Sequence, residues 1–394
     1  MKIQRTLPPA AAPVSLRSIF HGLKTQLSGK NETGKRLEEL KAYFNVKHTF
    51  LVSSGKAGLY IILTALKSLS LEKRQVVIPA YTCFSVPSAV VKAGLEVALC
   101  DIDPETFDFD YGDLESVLNE KTLCVVPNHL FGIPADMDRI REICARKKIF
   151  IVEDAAQAMG GTYRGRKLGT LGDVGFFSLG RGKNITCGGG GIVVTDSDEI
   201  SEAVSKEHRK LDSPCFFEDV KDLWTLLLMT VFLHPSLYWL PAGIPFLELG
   251  QTSFHEDFPV RRLSRMKVAV LKDWKDQLER LNRQRSRVTA SWITRLGLQG
   301  ERMSSAPCLR MPVLADSTSC REKFYSASSK RGLGVSSLYP SPINEITQLR
   351  GKWNGKAFVS AKRVSERLLT LPTHTFVCEK DQDEIMKCWA LCHG

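Results

Sequence analysis

Short, continuous apolar runs alternate with stretches of helical periodicity through the first half of the chain. The runs lie at 48–53, 75–79, 96–101, 122–127 and 148–153, and helical patterns separate them at 57–68, 85–93, 111–119 and 136–147. Runs that are apolar throughout, rather than at every second position, predict strands buried on both faces. Alternation at this spacing predicts an α/β fold, a large and mainly parallel sheet with helices on both faces. In such a sheet ligands collect at the carboxyl ends of the strands. After residue 198 the pattern changes. A prolonged helical stretch at 264–296 leads into a strand at 309–314, a helix at 321–330, a strand at 368–371 and a closing helix at 380–391. The chain divides accordingly into an N-terminal arm (1–34), a large domain (35–256) and a smaller C-terminal α+β domain (257–394).

Composition narrows the class without naming it. The 394 residues suffice for two domains, and 43% hydrophobic with 25% charged residues is the balance of a soluble globular protein. A net charge of +11 suits an anionic partner such as nucleic acid, a membrane surface or a phosphate-bearing substrate. No aromatic-interleaved basic stripe and no zinc-spaced cluster accompanies it, which argues against nucleic acid and against a metal site. The eleven cysteines are spread singly with no C-x-x-C pair, a pattern of reduced thiols in a cytoplasmic protein. Cys388 and Cys392, four apart on the closing helix, are expected to face the core. Pro8, Pro9 and Pro13 interrupt the N-terminus where an export signal needs a continuous apolar core, so none is expected.

One apolar stretch stands out, at 223–233 within the segment 221–250. It is about half of the roughly 20 residues that cross a bilayer. It predicts a helix packed over the large domain or at a subunit interface. The alternative is peripheral contact with the cytoplasmic face of a membrane, helped by the basic balance.

The candidate chemistry sits at two strand ends. The run at 149–153 ends on Asp154, and an apolar strand from Gly175 runs into a loop that holds Lys183 and then four glycines, 188–191. A carboxylate and an amine at the carboxyl edge of one sheet match the demands of pyridoxal phosphate. The amine forms a Schiff base, and the acid keeps the ring nitrogen protonated. Upstream, Ser54-Gly55-Lys56 opens a helix directly after a strand, the geometry that binds a phosphate through backbone N–H groups. The plainer alternatives are an aspartate capping the next helix and an ordinary surface lysine.

A series of ordered motifs carries a resemblance. They are Ser-Ser-Gly-Lys-Ala-Gly-Leu at 53–59, Ile-Pro-Ala-Tyr-Thr at 78–82, Asp-Ile-Asp-Pro-Glu-Thr at 101–106 and His-Leu-Phe-Gly-Ile-Pro-Ala-Asp at 129–136. Glu-Asp-Ala-Ala-Gln at 153–157, Phe-Ser at 177–178 and Lys-Asn-Ile-Thr at 183–186 complete it. The chain resembles the DegT/DnrJ/EryC1/StrS family of pyridoxal-phosphate sugar aminotransferases, of fold type I, from about residue 35 to the C-terminus. The resemblance implies an enzyme that aminates a keto-sugar, usually nucleotide-linked, with L-glutamate as amino donor, working as a homodimer with shared active sites. It implies catalytic roles for Lys183 and Asp154, and cofactor contacts from Ser54, Gly55, Lys56, Cys83, Gln157 and Ser178. His129 and Tyr339 are implied on the substrate side.

Four positions depart from the family's pattern. Lys56 stands where a threonine is usual, Cys83 where an aromatic ring stacks on the cofactor, and Gly189 where a glutamate falls. The segment 258–266 lacks the asparagine that reaches a neighbouring subunit, leaving Arg261, Arg262 or Arg265 for an anion. Two other functions stay open: a non-catalytic or regulatory relative, and a sugar dehydratase, in which histidine replaces the lysine.

Overall fold

The computed structural model describes residues 5–244, 250, 252–298, 303, 306–353 and 355–391. Its centre is a seven-stranded sheet built from β1 (His48–Val52), β2 (Gln75–Pro79), β3 (Glu96–Cys100), β4 (Thr122–Val125) and β5 (Phe150–Asp154). A small hairpin of β6 (Thr162–Tyr163) and β7 (Arg166–Lys167) precedes the last two, β8 (Val174–Ser178) and β9 (Gly191–Thr195). The order is β1-β9-β8-β5-β4-β2-β3. Neighbours from β3 through β8 pair in parallel, and β9 alone runs against both β8 and β1. The observed strands fall within two residues of the apolar runs that predicted them.

Pleating sends successive residues to opposite faces, and both faces are covered. Val76 and Ile78 join Val152, Val174 and Val193 beneath the helices Gly55–Leu69 and Ser85–Lys92. Val77 joins Val125, Ile151, Phe177 and Val194 on the other face, under the helices Thr33–Phe44 and Met137–Ala145. Two buried faces explain why these strands read as unbroken apolar runs.

The stretch predicted as one helix at 264–296 is two. Arg265–Val270 and Trp274–Leu296 are joined by a single 3-10 turn, Leu271–Asp273. Val268, Ala269, Val270 and Leu271 are all buried, and no single stripe of a straight helix presents four consecutive residues to a core. The turn rotates the face. Residues 257–273, grouped from the sequence with the smaller domain, pack into the large domain through Leu263, Met266 and Leu271. The long helix then crosses over: Trp274, Leu278 and Leu281 belong to the large core, and Val288 and Trp292 to a third core. That core packs the helix Thr318–Lys330 against the antiparallel pair β10 (Arg310–Leu314) and β11 (Leu368–Pro372).

The N-terminal arm is more than a tail. It contains the helix Leu16–Leu27, capped by Ser15, and its first residues are stitched to distant parts. The Leu7 N–H donates to the Gly332 carbonyl at 2.8 Å, and the Thr6 N–H to that of Pro235 at 2.8 Å. The apolar stretch forms the helix Phe216–Phe232 and a short turn of helix at Trp239–Ala242, and residues 245–249 of that segment lie outside the described residues. Among the described residues no helix is long and apolar enough to cross a membrane. Ten cysteines are free thiols; Cys388 is fully buried, and Cys392 lies outside the described residues.

Candidate active site

Asp154 is the last residue of β5, and its position is over-determined. Its N–H donates to the Pro127 carbonyl at 2.9 Å, its carbonyl accepts from the His129 N–H, and its Oδ1 accepts from the Ala156 N–H at 3.0 Å. The carboxyl is buried, which raises its pKa, and the Ala156 bond, Lys183 and His129 oppose that rise. A buried acid of this kind gains most from a cation or an N⁺–H placed against it.

Lys183 lies across from it on the loop after β8. The loop is fixed at both ends. Arg285 donates to the carbonyls of Asn184 (2.9 Å) and Lys183 (3.4 Å), and the Thr186 hydroxyl donates to the Leu179 carbonyl at 2.8 Å. Burial lowers the pKa of the Lys183 amine, Cys83 and Asp154 push it back up, and Arg310 lowers it further. Lowering of this kind yields more free base at neutral pH, the form a Schiff-base amine needs.

Lys183 lines a cavity of about 720 Å³. Cys83, Gln157, Arg310 and Tyr339 line it too, with Pro9, Ala10 and Ala12 from the arm. Gln157 is locked: its Oε1 accepts from the Phe131 N–H at 3.2 Å, and its Nε2 donates to the Tyr339 hydroxyl at 2.9 Å. Because that hydroxyl accepts from Gln157, its own proton is free to donate. Burial raises the Tyr339 pKa well above the usual value, so the proton stays on. The cavity's opposite wall is apolar, with Leu228, Met229 and Phe232 from the helix Phe216–Phe232, then Leu233, Tyr238, Leu240, Pro241 and Ile244.

A candidate phosphate notch lies at the start of the helix Gly55–Leu69, where Gly55 comes close to Ser178. The Ser54 hydroxyl caps the Ala57 N–H at 3.0 Å, which leaves the N–H groups of Gly55 and Lys56 without an intrahelical partner. A Cβ on Gly55 would stand 2.9 Å from the Ser178 Cβ, so only glycine lets this backbone meet the Ser178 hydroxyl so closely. The buried acid, the amine and this notch fit pyridoxal phosphate. The Lys56 side chain turns to the Phe258 ring, its Nζ 4.1 Å from the centroid, so it offers the notch its N–H rather than its charge.

His129 is not on the substrate side. It is fully buried, outside the cavity lining, and its Nδ1 accepts from the Ala135 N–H at 3.2 Å. Nε2 therefore carries the proton and donates to Glu153 at 2.9 Å, while Glu153 also accepts from the backbone of Gly169. This pair braces the far side of β5.

The other departures are also accounted for. Cys83 lines the cavity and accepts from the Ser85 hydroxyl at 3.0 Å. A side chain at Gly189 would point toward Lys267 Nζ, 3.5 Å from its Cβ. That ammonium pairs instead with Asp222 of the apolar helix at 2.6 Å. Arg261 pairs with Glu218 of the same helix, and Arg262 donates to the Arg209 carbonyl, so both are engaged within the chain. Sequence reasoning missed Arg310, whose signal is one arginine opening an otherwise apolar strand, and Arg285, hidden in a helix rich in arginine.

Residues 23–213 match the model of the DegT/DnrJ/EryC1/StrS aminotransferase family. A GDP-perosamine synthase of Caulobacter vibrioides is 36% identical over 159 residues, 40% of this chain and 42% of that protein. An L-glutamine:2-deoxy-scyllo-inosose aminotransferase of Streptoalloteichus tenebrarius is 31% identical over 265 residues, 67% of this chain and 56% of that one. The aligned part of the chain spans about half the length of the curated relatives it matches. Helicobacter pylori PseC, an aminotransferase involved in the biosynthesis of pseudoaminic acid, superposes with a TM-score of 0.79 at 16% identity. The match covers 98% of this chain and 99% of that one, a likeness of fold.

Proposed function

We propose that the chain, whose residues 23–213 match the DegT/DnrJ/EryC1/StrS aminotransferase family, is a pyridoxal-phosphate-dependent aminotransferase of that family. It converts a keto-sugar, carried on a nucleotide, to an amino sugar, with L-glutamate as donor. The observation that carries this reading is a buried acid, Asp154, and a half-buried amine of lowered pKa, Lys183, at the carboxyl edge of one sheet, each within electrostatic reach of the other. Pyridoxal phosphate supplies the aldehyde and the electron-withdrawing ring when bound. Lys183 Nζ holds the cofactor and then moves the proton at the substrate carbon that gains or loses nitrogen. The Asp154 carboxylate keeps the ring nitrogen protonated. Gly55 and Lys56 N–H groups and the Ser178 hydroxyl bind the phosphate, and Tyr339, oriented by Gln157, donates its proton into the cavity.

Absorbance tests it directly. Purified protein supplied with pyridoxal phosphate should show the band of the lysine-bound cofactor, bleached by L-glutamate, and Lys183→Ala should lack it. A wild type that takes up no cofactor would remove the enzyme reading and leave the non-catalytic relative.

We also propose a cytoplasmic homodimer in peripheral contact with a membrane through 221–250. The supporting observation is a row of exposed apolar residues on the helix Phe216–Phe232: Trp224, Leu228 and Val231. Vesicles containing anionic lipid should carry the protein upward in a flotation gradient. A dimer that never floats removes the membrane contact.

A further inference from the structure

Arg310 begins β10, is half-buried, and lines the cavity together with Lys183 and Tyr339. Its surroundings leave it short of partners. Among the described residues its hydrogen bond goes from Nη1 to the neutral Ser336 hydroxyl at 3.2 Å, and no carboxylate faces it. Two fully buried arginines show what this chain normally provides for a guanidinium. Arg285 donates to the carbonyls of Asn184, Ala11 and Lys183 and to Asn282 Oδ1. Arg36 is held between Glu32 and Glu39. Among the described residues Arg310 carries the same five donors with one neutral acceptor. Tyr238 and Tyr339 flank it, but burial raises the pKa of both phenols, so neither supplies a negative charge. A cation held this way is costly until an anion meets it.

We propose that Arg310 binds the α-carboxylate of the amino-acid donor, an inference that rests on the aminotransferase reading above. Position selects this anion. The α-carboxylate is bonded to the same carbon as the reacting amine, so the group that holds it must stand near Lys183 Nζ. Arg310 is close enough for its charge to act on that amine. Shape selects it too, because a guanidinium fork matches a planar carboxylate with two parallel hydrogen bonds. A diphosphate on a sugar is separated from the reacting carbon by the ring carbons between them. The 2-oxo acid that leaves keeps the same carboxylate, so one residue serves donor entry and product exit.

The test compares wild type, Arg310→Lys and Arg310→Gln, each loaded with cofactor. L-Glutamate and 4-aminobutyrate, which lacks the α-carboxylate, are titrated against the absorbance of the lysine-bound cofactor. Arg310→Gln should keep that absorbance yet need about 30- to 1000-fold more L-glutamate for half conversion, the scale of losing one partner of a buried charge pair. Arg310→Lys should fall between, and the preference for L-glutamate over 4-aminobutyrate should collapse in step. A second arm needs no cofactor: maleate should raise the melting temperature of wild type and leave Arg310→Gln unmoved. An Arg310→Gln protein that saturates with L-glutamate as wild type does, or slows equally with both amines, overturns the proposal. So does equal stabilisation of both proteins by maleate. A wild type that takes up no cofactor sinks the aminotransferase reading instead, and the maleate arm still decides whether Arg310 holds a carboxylate.

Discussion

The two walls of the cavity are built on opposite principles. The floor, at the strand ends, is a set of polar groups held by hydrogen bonds: Gln157 by Phe131 and Tyr339, and the Lys183 loop by Arg285, with the buried Asp154, held by Ala156, at the end of β5. The roof, from 216 to 244, lines the cavity with Met229, Phe232 and Leu233, and ties itself down mainly at its first turns. Glu218 pairs with Arg261, Asp222 with Lys267, and Asp219 accepts from Gln26 at 3.1 Å. Charge chemistry needs each group within a fraction of an ångström of its partner, because electrostatic stabilisation comes from dipoles already oriented. Excluding water needs only apolar surface, which many sequences supply.

The sharpest way to break this contrast is to damage the floor without changing its shape. Asp154→Asn keeps the volume and the Ala156 bond while removing the charge. Lys183 still holds the cofactor in this variant, so its absorbance should persist. Turnover should fall by about 10²- to 10⁴-fold, the range for losing a positioned acid–base or electrostatic group. Single-turnover bleaching by L-glutamate measures it. A variant within threefold of wild type would mean that the buried acid is a helix cap and nothing more.

The same contrast explains what could be read from the sequence. Asp154 and Lys183 were legible because a charge at the end of a run buried on both faces has one place to go, the carboxyl edge of the sheet. His129 gave the same signal and went elsewhere. Its predecessor Asn128 bridges Asp154 across the sheet, so the next side chain points to the opposite face, where Glu153 waits. A one-residue offset reverses the face, and strand ends cannot be placed that finely from pattern alone. Arg310 was hidden for a related reason: nothing in an apolar strand tells which face its first residue takes. The roof was visible as a helix, but an apolar helix reads alike whether it covers a cavity, a second copy or lipid.

A smaller effect is expected at the seam where the arm joins the two walls. Pro9, Ala10 and Ala12 line the cavity, and the arm is anchored just before them by His374, whose Nε2 lies 2.7 Å from the Pro8 carbonyl. The Phe376 N–H donates to His374 Nδ1, so the ring is neutral and Nε2 is the donor. Burial lowers its pKa to about 4, with Arg285 and Arg310 adding to the fall and the Pro8 bond and Asp381 opposing it. A depressed histidine stabilises the fold fully above its unfolded value of about 6.5. Below that the opened state takes a proton that the closed state refuses, and stability is lost down to about pH 4. The total is on the order of 3 kcal/mol. Opening of the arm alone exposes this ring, so the Thr6 and Leu7 amides, bonded to Pro235 and Gly332, should lose protection as pH falls from 6.5 to 4. Hydrogen exchange corrected for the intrinsic rate measures it. His374→Asn keeps a donor for Pro8 but has no proton to gain, so its protection should be flat across the same range. Equal pH dependence in both proteins would show that another group holds the seam.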